Sequence, residues 1–236
     1  MSILTNLEQF LARAKNNLWF RLFTWFNRVA LAIGFITAGS VKIVGERFAS
    51  GLSVTHPMGH YLEALHQTGY YYTFIGILQI VAGILLVIPR TTLLGAMLYF
   101  PIIVNIFILS MAVRFEGSLL SSPLMVLSNL YLLCWDYDRL KYIFMKPVSE
   151  YNRIPVTKLE RKFPWKFLGI VIACVAAVVV GTSLFQVMPR NSSRDCNTQF
   201  IHSKKKIAGQ RFCDCIHVQG KPLDQCMDEY DKAPND

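Results

Sequence analysis

Apolar residues in this chain come in long blocks, and polar residues gather between the blocks. The two longest blocks, 70–88 and 92–113, meet at Pro89-Arg90, and Arg90 is the only charge between Tyr70 and Val113. Each block is long enough to cross a hydrocarbon core of about 30 Å as a helix rising about 1.5 Å per residue. The turn between them allows only a tight antiparallel hairpin. Further blocks at about 22–44, 119–135 and 167–188 bring the expected spans to five.

The ends and connections have their own patterns. Leu4, Leu7, Phe10, Leu11, Ala14 and Leu18 recur at helical spacing, so residues 1–21 read as an amphipathic leader lying in the membrane interface. Met1 to Lys15 has no uninterrupted apolar core and no small-residue cleavage site, so no signal peptide is expected. Residues 141–166 form a basic connector punctuated by Pro147, Pro155 and Pro164, and 189–236 form a polar tail. The loop 46–69 holds His56, His60 and His66. His56 and His60 are at metal-binding helical spacing, but Pro57-Met58-Gly59 argues against a regular helix there, so these read as surface histidines and no metal site is assigned.

Composition sharpens the membrane reading. Of 236 residues 53% are hydrophobic, and the charged share of 17% is low beside the roughly 25% of soluble domains. The net charge of +9 does not indicate a nucleic-acid partner, because the basic residues cluster beside the apolar blocks. The leader, the Arg90 turn and the connector share one side of a five-span protein and carry most of that charge. Lys42, Arg47 and Arg114 lie opposite. The positive-inside rule makes the first side cytoplasmic. The tail, with Cys196, Cys213, Cys215 and Cys226, then falls in an oxidising periplasmic space, although Lys204, Lys205 and Lys206 oppose the charge bias.

Candidate chemistry is sparse. Lys42, near the end of the first span, either snorkels to the headgroups or turns into the bundle. Gln79, Asn105 and Asn129 are mid-span amides, and lipid supplies no partner for them. They are expected to point inward together, either as interhelical glue or as a patch holding a lipid or quinone. Pro101 is expected to kink its helix. Cys134 and Cys174 read as inert apolar side chains. In the tail, a Cys213–Cys215 bridge would close a strained ring, so those two should pair outward, one with Cys196 and one with Cys226. An active Cys213-Asp214-Cys215 dithiol and a zinc site with His202 or His217 are the alternatives. Pro222 is expected to open a short helix over 223–230.

The order of elements from Arg28 to about Leu140 resembles the DoxX family of bacterial membrane proteins. The residues carrying the resemblance are Arg28, the segment Ala38-Gly39-Ser40-Val41-Lys42, the run from Gly76 to Leu86, the Pro89-Arg90 turn and Asn105. The resemblance implies a compact four-helix bundle in the bacterial cytoplasmic membrane. It points only faintly to a reaction, since family members are linked to sulfur and quinone oxidoreduction and to redox-defence complexes. Many members carry a Glu in the second helix. This chain has Gln79, which cannot carry a proton.

The expected fold is therefore an all-α integral membrane protein: a DoxX-like bundle over 22–140, a fifth transmembrane helix and a small cysteine-containing extracytoplasmic tail. No Walker loop, Rossmann fingerprint, HExxH, nucleophile elbow or CxxC is present, so no catalytic residue is assigned. An accessory or scaffold subunit bound to a membrane or periplasmic protein partner or to lipid is the leading reading. A quinone- or thiol-linked redox protein and a small-solute carrier stand behind it. In intact cells, a membrane-impermeant thiol reagent applied after reduction should label the tail cysteines. Labelling that requires lysis would reverse the orientation.

Overall fold

The computed structural model describes residues 11–144 and 161–236, and every regular element there is a helix. Five helical segments are long and apolar enough to span a membrane. Residues 11–15 are helical, and after them in chain order come α1 (Leu18–Val44), α2 (Pro57–His66), α3 (Tyr70–Val87), α4 (Thr92–Ala112), α5 (Glu116–Leu119), α6 (Ser121–Trp135), α7 (Tyr137–Phe144), α8 (Trp165–Ser183), α9 (Ser193–Thr198), α10 (Lys206–His217) and α11 (Leu223–Lys232). The spans are α1, α3, α4, α5 with α6, and α8.

Local chemistry explains where these helices start and stop. The first span begins at Leu18, earlier than hydropathy placed it, because Asn17 caps it by accepting from the Trp19 amide at 2.9 Å. Trp19 and Phe20 thus belong to the span. The leader's residues 1–10 lie outside the described residues, as does 145–160 of the connector. Gly45 ends α1 at φ 85°, a left-handed conformation that suits glycine. The fifth span stops at Ser183, short of the expected 188. Thr182 and Ser183 turn their hydroxyls back onto the Val179 carbonyl in its last turn. α4 continues as one helix through Pro101.

The core of the bundle is an apolar cluster of Leu31, Ala32 and Phe35 from α1, Ala82 and Leu86 from α3, Ala96, Tyr99 and Ile103 from α4, and Leu132 from α6. Phe35 and Tyr99 stack with ring centroids 3.4 Å apart. α1 and α3 come closest of all. A Cβ added at Gly39 would lie 2.6 Å from the Gly76 carbonyl oxygen, and one at Gly83 would lie 3.1 Å from that of Ala32. Small residues let the two backbones meet, the usual device where the hydrophobic effect cannot drive helix association. α8 differs. None of its residues is buried, and Phe167 is its main hold, packing on Phe20, Phe23 and Tyr131.

The connections sort by end. At one end, Arg28 donates to the Leu86 and Val87 carbonyls at 2.8 and 2.7 Å, covering the C-terminus of α3. Lys15 pairs with Asp138, and Asn17 donates to the Lys162 carbonyl. Burial raises the nearby Asp136 carboxyl above its ordinary value, opposed by Arg139, Lys15 and Arg28. At the other end, the 45–69 loop, the turn at 113–115 and the tail meet. This sorting is what an odd number of crossings requires.

A Gly39→Ala substitution should lower the thermal unfolding midpoint in detergent, at a cost of roughly 1–3 kcal/mol, since the added carbon meets backbone that cannot step aside. Gly169→Ala in α8, where a Cβ meets nothing within 4 Å, should leave the midpoint unchanged.

Candidate functional site

Two places gather polar chemistry: the seam of α1 and α3 inside the bundle, and the junction of bundle and tail.

Lys42 turns inward. It is only 6% exposed, and its Nζ donates to the Ala38 carbonyl at 3.0 Å, one turn back along α1. The ammonium faces the Phe48 ring at 4.7 Å and the Tyr72 ring at 5.8 Å. Tyr72 is held for this role: its hydroxyl donates to the Glu46 carbonyl and accepts from the Phe48 amide. No carboxylate pairs with Lys42 among the described residues. Snorkelling is therefore not what this lysine does. A loop that folds its own Phe48 back over the helix end supplies aromatic faces in place of headgroups.

Gln79 lies in the same seam, its Cβ 3.3 Å from where a Gly39 Cβ would be. It is 2% exposed, and its Oε1 has no hydrogen-bond partner. Asn129 is fully buried in a different seam. Its Nδ2 donates to the Ala96 carbonyl at 3.1 Å, joining α6 to α4, while its Oδ1 is unpartnered. Tyr99 and Ser122 also bury hydroxyls without partners. Asn105 departs from expectation: it is exposed on the outer face of α4. α4 turns Tyr99, Ile103 and Ser110 inward, and position 105 falls on the opposite side. The three amides therefore do not form one patch.

The junction with the tail is built from groups that hydropathy alone ranked as surface. Pro57 opens α2 instead of breaking it, because proline's missing N–H costs nothing in a first turn. His56 becomes the N-cap, its Nδ1 accepting from the Met58 amide at 3.1 Å. It is 1% exposed, sits beside the Arg190 backbone, and lies 6.0 Å from the His217 ring. His217 Nε2 contacts the Pro189 carbonyl at 2.7 Å. Arg114 donates to the Val187 carbonyl at 2.9 Å and lies over the Phe185 ring, and Arg190 pairs with Glu116. A polar groove of about 520 Å³ opens beside that pair, lined by Glu116, Arg190, Asn191, Asp195, Thr198 and Gln199. The X-Pro pattern at 56–57 was the readable signal for the buried histidine.

The tail itself is three helices locked by two disulfides, Cys196–Cys213 and Cys215–Cys226, with Cα separations of 5.7 and 5.8 Å. Cys213 and Cys215 thus pair outward, to opposite neighbours. All four cysteines are at most 2% exposed, packed with Phe200, Phe212, Ile216 and Leu223. α11 runs from Leu223 to Lys232 with Pro222 at its cap position. No group of three or more metal-ligating side chains forms among the described residues.

No family model matches the chain, and no solved structure matches it. Over 127 residues it is 34% identical to "Uncharacterized protein YwoB" of Bacillus subtilis (strain 168), an alignment covering 49% of this chain and 77% of that protein. The chain belongs to the family of YwoB. The YwoB relationship brings no reaction with it, so the chemistry of this family member rests on its own geometry.

That geometry makes the tail junction acid-sensitive. Burial, and secondarily the His217 charge, push His56 down from 6.5 to about 4, against the neighbouring Arg190 backbone, which raises it. The folded state therefore takes up this proton later than the unfolded state does. Stability is flat above about pH 6.5 and falls as pH drops toward 4, by on the order of 2 kcal/mol at pH 5. The protection factors of the α10 amides, referenced to intrinsic exchange at each pH, should fall between pH 7 and pH 5 in the wild-type protein. A His56→Asn variant, which keeps a capping side chain, should lose most of that dependence.

Proposed function

We propose that this YwoB-family protein is a non-enzymatic accessory or scaffold subunit of the bacterial cytoplasmic membrane. α1, α3, α4 and the α5–α6 span form a DoxX-like bundle, with the N-terminus in the cytoplasm. The tail stands on the extracytoplasmic side and presents a rigid surface to a membrane or extracytoplasmic protein. The observation that carries this reading is the burial of both disulfides in a tail pinned to the bundle. Thiol–disulfide exchange needs a second thiolate to reach a sulfur. Sulfurs sealed under Phe200, Phe212 and Ile216 serve structure, and three short helices with so small a core need such staples.

One observation favours a second reading. Gln79 buries an unpartnered oxygen in the seam that also buries the Lys42 ammonium without a counter-charge. A quinone or a lipid headgroup would supply a polar complement to both.

Purification with native lipids separates the two. The scaffold reading expects a protein partner retained at fixed stoichiometry, its retention reduced by Arg114→Ala, which frees the Val187 carbonyl and loosens the tail. It also expects quinone well below one per chain. Stoichiometric quinone that falls in Gln79→Leu, with the melting midpoint unchanged, would replace the scaffold reading with the redox one.

A further inference from the structure

α4 carries two faces. Ala96, Tyr99, Ile103 and Ser110 are buried in the bundle. On the opposite side Leu94, Pro101, Asn105, Ile108 and Ala112 are exposed, with Leu98 half-buried among them. Positions 94, 98, 101, 105, 108 and 112 advance alternately by four and three, the spacing of a helix–helix seam. Asn105 lies about 10 Å in from the Ala112 end at about 1.5 Å per residue, well within the hydrocarbon. It makes no hydrogen bond among the described residues. On the same face Pro101 lacks an N–H, so the Met97 carbonyl loses its helical donor. Lipid can satisfy neither group.

What covers this face follows from the chemistry of the amide. A carboxamide holds a donor and an acceptor side by side, so it is complementary to itself. Copies of one chain insert with one topology. A two-fold axis along the membrane normal therefore brings the same residue of each copy to the same depth. A foreign helix would need its own polar group at that depth, whereas a second copy brings one by symmetry. We propose that the outer face of α4 is the interface of a homodimer in the bilayer, with the Asn105 amides of the two protomers hydrogen-bonded to each other. A single asparagine in an otherwise apolar seam fixes register and partner number. α8 likewise exposes Gly169, Ala173 and Ala177 along one face, but that stripe brings no polar group to say what covers it. The dimer does not rest on the scaffold reading.

Cysteine cross-linking in native membranes tests it, in a Cys134→Ala, Cys174→Ala background where the remaining cysteines are bridged and buried. Ile108→Cys and Leu94→Cys should oxidise to a dimer of this chain. Ile103→Cys, 1% exposed, and Ile172→Cys on α8, 59% exposed, should not. Adding Asn105→Leu to Ile108→Cys should lower the dimer yield about fivefold or more at limiting expression. Asn105→Gln should retain most of it, and the melting midpoint of the monomer should not fall in either. Cross-linking at 172 in place of 108 would overturn the proposal. So would a yield indifferent to Asn105→Leu, an adduct at 108 with a different protein, or no adduct at any position. Because Ile108→Cys leaves Asn105 in place, the result stands even if an Asn105 variant misfolds.

Discussion

The bundle hangs on how closely α1 and α3 approach at Gly39 and Gly76. In lipid, apolar side chains gain little by leaving one hydrocarbon for another, so contact distance decides which helices pair. A carbonyl oxygen 2.6 Å from an absent Cβ leaves no space for any other residue. That approach sets the seam in which Lys42 and Gln79 are trapped. It also brings the two helix ends together so that the 45–69 loop can fold back over Lys42. α4 and α6 then complete the core through Phe35 on Tyr99 and Asn129 on Ala96.

The tail follows a different physics. It has water on its outer side and too few residues for a self-sufficient core, so covalent bridges and burial share the work. Its attachment is polar and specific. Arg114 from the bundle end and His217 from the tail hold the chain between α8 and α9, and that chain reaches back to the bundle through Arg190 on Glu116. The membrane bundle and the tail are thus coupled without a large apolar interface.

Which features were legible from the residues follows from the range of the forces involved. Span number depends on block length alone, and the five apolar blocks correspond to the five long helices. The outward pairing of Cys213 and Cys215 depends on the reach of a C-x-C segment, also a local matter. His56 and Asn105 were misplaced, and the direction of Lys42 was left open, for one shared reason: each depends on what stands beside it. Lys42 needed Phe48 returning from the loop. His56 needed the Pro57 start and a tail more than a hundred residues away in sequence. α4 is apolar on nearly every side, so periodicity could not say which face Asn105 takes. The end of α8 was misjudged because hydropathy counts Leu184 to Met188 as membrane, whereas the helix ends at Ser183.

The segment at 187–190 is gripped largely through its main chain. Arg114 takes the Val187 carbonyl and His217 contacts the Pro189 carbonyl. Main-chain atoms are the same whatever residue bears them. Evolution is therefore free to exchange side chains here only where the packing of Val187 on the disulfide cluster and of the buried Pro189 is kept. It is not free to insert or delete a residue, because each grip would then close on the wrong carbonyl. Among relatives this stretch should hold its length and exchange side chains only for others of similar size, unlike an ordinary surface loop.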